Sequence, residues 1–267
     1  MRQPRNRGIA PAGIDRLPPA IAVLGLIALL VPLPPGSAFA DAPVVLIKGG
    51  ALIDGTERPP IRHVWILLEG GRIKRIGKAG SFPRPRGSEV VHAQGETILP
   101  GLIDAHVHLG TSGVVSFTFS RPQSPAEEVF RRSHRAELLG GVTQVRDLHM
   151  PMEIGRKLTK QLNKEPTLGA RLIYAGLMLT APEGYGAPYA IEVARPEEGR
   201  QGVEELALDG ADLIKIAVTS RTLKKRAIPS LAREVVRAIV DAAQERALPV
   251  AAHVAAATEA DLRNAIT

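Results

Sequence analysis

The chain has 267 residues, 45% of them hydrophobic, which is enough apolar material for a sizeable core and excludes global disorder. The net charge is +7, but the four arginines and one aspartate of residues 1–40 hold +3 of it. With only 3% aromatics, the remainder excludes a nucleic-acid footprint or a base-stacking platform. Cysteine is absent, which excludes disulfides and thiol catalysis.

Residues 1–40 read as a secretory signal peptide. A basic stretch, MRQPRNRGIAPAGIDR, precedes the apolar run AIAVLGLIALLV (Ala20 to Val31), and Ala38-Phe39-Ala40 offers a small-x-small cleavage site. The run falls short of the roughly 20 residues that span a bilayer. The expectation is an exported product, periplasmic or secreted, cut after Ala40 and without a stable membrane span.

Residues 41–97 look β-rich. PVVLIKGGALIDG supplies two short strands across a Gly-Gly turn, HVWILLEGGRIKRIG a hairpin across Gly70-Gly71, and SEVVHAQGETILP closes the region.

Residues 98–267 alternate strands and helices. ILPGLIDAHVHL reads as a buried strand. SPAEEVFRRSHRAELLGG is a helix capped by Ser124 with Pro125 in its first turn, and VTQVRDL is a strand. The stretch EIGRKLTKQLNK reads as irregular, and RLIYAGLML as one strand. RPEEGRQGVEELALDG is a helix opened by Pro196 and stopped at Gly210. ADLIKIAV is a strand, SLAREVVRAIVDAAQERA a helix capped by Ser230, and LPVAAHVA a strand. TEADLRNAI begins a further helix capped by Thr258. Such alternation implies an α/β fold with parallel pairing.

Side chains alternate along a strand, so His106 and His108 project from one face, about 7 Å apart by the strand rise. Two neutral imidazoles so placed can converge on one divalent ion of the zinc type. Lys215 sits inside an apolar strand and faces the same way as Leu213 and Ala217. Residue physics leaves two readings open there. The lysine is either a desolvated, nucleophilic amine able to take up carbon dioxide as a carbamate, or a side chain that snorkels to water. His253, mid-strand among small apolar residues, taken alone fits a hydrogen-bonded core histidine; beside the other three it reads as a ligand. The basic cluster SRTLKKRAIP (Ser220 to Pro229) reads as a solvated loop, with contact to an acidic substrate as the second reading.

ILPGLIDAHVHLG, GVTQVRDL, GADLIKIAV and PVAAHVA, in this order and at these separations, resemble the amidohydrolase superfamily, in particular its imidazolonepropionase-like and peptidase-like hydrolases. The resemblance covers Val44 to Thr267 and implies a (β/α)8 TIM-type barrel, about five of whose units are present, preceded by a small β-sandwich region. It implies metal ligation by His106, His108, a carboxylated, bridging Lys215, and His253, with zinc as the metal, two ions in the complete site, and carbon dioxide as the carboxylating reagent. The reaction implied is hydrolysis of a carbon–nitrogen bond in an amide, peptide or cyclic amide, on a small-molecule or short-peptide substrate, by metal-activated water. Neither G-x-S-x-G nor cysteine is present to support an acyl-enzyme. Arg146 and Asp147 end the second strand, where they orient the site or form a structural salt link. TAPEGYG (Thr180 to Gly186) follows the third strand, with Tyr185 as a substrate contact.

The family pattern also includes a sixth-strand histidine and an eighth-strand aspartate that serves as general base. No counterpart follows His253, and residues 98–267 fall short of the roughly 250 of a full barrel. The chain is therefore expected to be a truncated hydrolase domain, poorly soluble and inactive alone. The alternatives are a chain completed by another polypeptide, a single-metal cyclic-amide hydrolase or deaminase with Lys215 uncarboxylated, and an inactive metal-binding fragment.

Overall fold

A computed structural model describes residues 43–110, 126–223 and 226–254, together with Glu259, Arg263 and Ala265. The signal peptide expected at residues 1–40, the Ser124 cap with Pro125, and the Thr258 cap lie outside the described residues.

The N-terminal strands are β1 (Val45–Lys48), β2 (Ala51–Leu52), β3 (Ile61–Arg62), β4 (Val64–Glu69), β5 (Arg72–Lys78), β6 (Glu89–His92) and β7 (Thr97–Ile98). They form a four-stranded sheet, β5-β4-β1-β6, and a three-stranded one, β3-β2-β7. Period-two alternation in β4 explains both apolar clusters. Val64 and Ile66 pack with Leu52 of the second sheet, while Leu67 turns to Leu46 and Phe82 on the opposite face. Trp65 meets Phe82 edge-on at 5.7 Å.

The second half comprises β8 (Leu102–Val107), α1 (Ala126–Leu139), β9 (Val142–Asp147), α2 (Met152–Lys164), β10 (Arg171–Tyr174), β11 (Leu179–Thr180), β12 (Ile191–Glu192), α3 (Pro196–Leu208), β13 (Ile214–Ala217), β14 (Arg221–Leu223), β15 (Arg226–Ile228), α4 (Arg233–Glu245) and β16 (Val250–His253). The orders β10-β9-β8 and β12-β11-β13-β16 are parallel throughout, so the α/β expectation holds. The two sheets meet where Asp212, just before β13, donates its backbone N–H to Tyr174 O (2.9 Å) and accepts the Tyr174 N–H on its carboxylate (3.0 Å).

Several local expectations are corrected. EIGRKLTKQLNK is helical: Ile154, Leu158 and Leu162 recur at helical spacing and pack against Val145, Leu172 and Tyr174. Gly155, which weakens the helical signal, is required because an added Cβ would stand 2.3 Å from the Tyr174 ring. RLIYAGLML is two short strands, since Gly176 turns the backbone at φ +73°. The helix after Ser230 begins at Arg233 with Ala232 at its N-cap, so Ser230 does not cap it. Within SRTLKKRAIP, residues 221–223 and 226–228 are antiparallel strands, with Arg221 paired to Ile228 and Leu223 to Arg226. Strand β8 is not buried. Among the described residues it is an edge strand, and Leu102 and Ile103 are 55% and 63% exposed.

The helices cover one face of the parallel strands. Ile214 and Ile216 of β13 pack with Val203 and Leu206 of α3 and with Val235 and Ile239 of α4. Residues of the opposite parity meet on the other face, where Ile173, Leu213 and Ala251 share a cluster. That face also carries Lys215.

Candidate metal and hydrolase site

Lys215 lies on β13 between Ile214 and Ile216, so its side chain takes the face opposite the helices and is only 3% exposed. Burial, helped by the Arg146 guanidinium, pulls its ammonium down to about 8. In parallel register, Lys215 pairs with Ala251 and Ala217 with His253, which sets His253 one step further toward the C-terminal end of the same surface.

His106, on β8, and His108, one residue past its end, have ring centroids 5.3 Å apart and planes nearly perpendicular. Burial, and then the neighbouring His106, His149, Lys215 and His253, bring His108 down to about 4. His106 is lowered by burial and by the Lys215 and Arg146 charges, against an opposing pull from Asp104. At neutral pH both imidazoles are therefore uncharged, the form that donates a lone pair to a metal.

Tyr185 belongs to the loop after β11 and stacks on His253, centroids 4.0 Å apart and planes 13° from parallel. Glu183 (φ +57°) and Gly186 (φ +74°) turn the loop back, and the Glu183 N–H donates to the Glu192 carboxylate at 3.2 Å. Tyr185 thus stands at the candidate site, against a proposed ligand.

Arg146 donates from Nε to Ala105 O at 2.7 Å, within the H-x-H strand, so its partner is a backbone carbonyl. Asp147 is fully buried. Its two oxygens accept the backbone N–H groups of Leu109 and His149, each at 2.8 Å, so the salt-link reading of Arg146 and Asp147 is replaced by backbone hydrogen bonds. Burial outweighs those two bonds and pushes its carboxyl up to about 7.

His149 was not anticipated from the sequence. It follows β9, and its ring lies 6.3 Å from that of His108. The available signal was its place two residues beyond the C-terminal end of β9, as His108 lies just beyond the C-terminal end of β8.

Among the described residues, no three His, Cys, Asp or Glu side chains stand at metal-holding spacing. The donor chemistry nonetheless fits a divalent ion of the zinc type: two neutral imidazoles on one strand, a third on β16, and a buried lysine with a weakened hold on its proton. The described residues contain no helix long and apolar enough to cross a membrane.

The amidohydrolase family model matches residues 97–267. A dihydroorotase of Geobacter sulfurreducens is 46% identical over 71 residues, 26% of this chain and 16% of that protein. An adenine deaminase of Chelativorans sp. is 30% identical over 148 residues, 52% of this chain and 24% of that protein. Among solved structures, a Xaa-Pro dipeptidase with bound methionine in its active site aligns with a TM-score of 0.72 at 26% identity, covering 84% of this chain and 59% of that one. Molinate hydrolase shares the fold with a TM-score of 0.69 at 23% identity, over 84% of this chain and 56% of its own. This chain therefore spans a quarter or less of those two curated relatives' length, and under two thirds of the two solved chains.

Proposed function

The chain belongs to the amidohydrolase family, and on that premise we propose that it carries the metal-binding part of a hydrolase acting on carbon–nitrogen bonds in amides, peptides or cyclic amides. Members of this family generally use divalent metals, often zinc. We read strands β8, β9, β10 with β11, β13 and β16 as successive strands of a TIM-type barrel, and the two N-terminal sheets as its β-sandwich region. The domain boundaries are then 41–97 and 98–267, after a signal peptide at 1–40.

One observation carries the reading. The His106 and His108 rings stand 5.3 Å apart at the end of β8, and the parallel register of β13 with β16 sets Lys215 and His253 one step apart on one face. His106, His108 and His253 would hold zinc through neutral ring nitrogens. The Lys215 amine, neutral in about a tenth of molecules at pH 7 given its lowered value of about 8, can form an N–C bond to carbon dioxide and release a proton. The resulting carbamate would be an anionic ligand between two ions. Bound zinc supplies Lewis acidity, which polarises a substrate carbonyl and acidifies water. Tyr185 walls the site beside His253 and contacts substrate there, and Arg146 keeps a fixed positive charge near Lys215. We assign no general base within this chain.

The adenine deaminase and dihydroorotase relatives favour a second reading. In it, a single ion is held by His106, His108 and His253, Lys215 stays uncarboxylated, and the chain serves a deaminase or cyclic-amide hydrolase. Calorimetric titration of the metal-free full chain with zinc, at ambient and depleted carbon dioxide, tests both. The first reading predicts two ions per chain, falling to one without carbon dioxide; the second predicts one under both conditions. Binding that survives intact in the His106→Ala/His108→Ala double variant overturns either.

A further inference from the structure

We propose that Arg146 and Asp147, which end β9, are positioning residues that hold the H-x-H strand in its ligating form and seat His149 beside it. The proposal rests on the reading of His106 and His108 as ligands. Its starting point is a defect in the sheet: the β8–β9 register shifts between Asp104 and Val107, across the stretch that contains His106. Where a parallel ladder is interrupted, the backbone groups it would have paired need other partners.

Side chains supply them. The Arg146 Nε–H donates to Ala105 O at 2.7 Å, and the His106 N–H donates to the Asp104 carboxylate at 3.0 Å. Beyond the shift, the Leu148 N–H donates to Val107 O at 3.1 Å and restores backbone pairing. The Leu109 N–H, directly after His108, donates to Asp147. Every backbone bond named here lies on, or one residue from, an imidazole-bearing position. An apolar residue in place of Asp147 would leave two buried N–H groups without acceptors.

Asp147 also reaches its own side of the rim. Its second oxygen accepts the His149 N–H, so one carboxylate fixes both the backbone leaving β8 and the backbone leaving β9. The ring contact between His108 and His149 then follows from a shared anchor. Asparagine at 147 keeps one acceptor but turns an NH2 against the other donor, releasing one of the two anchors.

The test uses the full chain with Co2+ as a spectroscopic probe, comparing wild type with Asp147→Asn, Arg146→Met and Arg146→Lys. Thermal unfolding of each variant is followed in parallel. The proposal predicts that Asp147→Asn and Arg146→Met weaken Co2+ binding by about 10–100-fold and shift the visible ligand-field bands. Arg146→Lys, which still offers a donor to Ala105 O, recovers most of the affinity. Arg146 is only half-buried, so its variants remain informative if Asp147→Asn fails to fold. Unchanged bands and affinity in folded Arg146→Met and Asp147→Asn, with only a lowered unfolding midpoint, overturn the proposal and leave the ligand assignment standing. Wild-type Co2+ binding that ignores removal of both His106 and His108 overturns both together.

Discussion

At the scale of single residues, Lys215 carries the sharpest consequence. Its folded value of about 8 lies below the ordinary lysine value of 10.5, because burial and Arg146 both disfavour the charged form. In metal-free protein the unfolded chain therefore binds more protons between about pH 8 and 10.5. Stability should rise with pH through that window, by on the order of 3 kcal/mol at most. Denaturant unfolding at a series of pH values checks this: Lys215→Met should remove the rise, and a rise of equal size in that variant contradicts the assignment. The same position shows how far the site was legible. A lysine flanked by isoleucines announces its burial, and H-x-H announces a shared face. Nothing in the order of residues announces that Arg146 would serve the Ala105 carbonyl, or that His149 would come up against His108, since both depend on how β9 lies alongside β8.

At the scale of elements, the alternation of strand and helix was readable because most segments obey their own period. Strand β4 sends successive residues to two apolar clusters, and α3 is framed by Pro196 at its start and Gly210 (φ +92°) after its end. The misread elements are those where tertiary packing overrides local preference. Gly155 weakens the helical signal of α2 yet makes room for the Tyr174 ring, and the bend at Gly176 divides a continuous apolar run into two strands. β8 was expected to be buried because it is apolar, yet it pairs only with β9 among the described residues and leaves Ile103 63% exposed. An exposed apolar edge recruits other chains. Ile103→Lys is expected to reduce self-association with unchanged far-ultraviolet circular dichroism. Light scattering over a concentration series reads it, and a wild-type chain that stays monodisperse throughout contradicts the expectation.

At the scale of the whole molecule, three strands deliver the candidate ligands to one surface while helices α3 and α4 seal the other face of β13. Strand β13 thus separates its labour by parity: Ile214 and Ile216 toward the helices, Lys215 away from them. The most direct measurement is anomalous diffraction at the zinc edge from crystals of the full chain grown with zinc. The account predicts a peak within bonding distance of His106 and His108, with Lys215 and His253 at its margin or around a second peak. Zinc bound only elsewhere, with these four side chains left out of every peak, would contradict it.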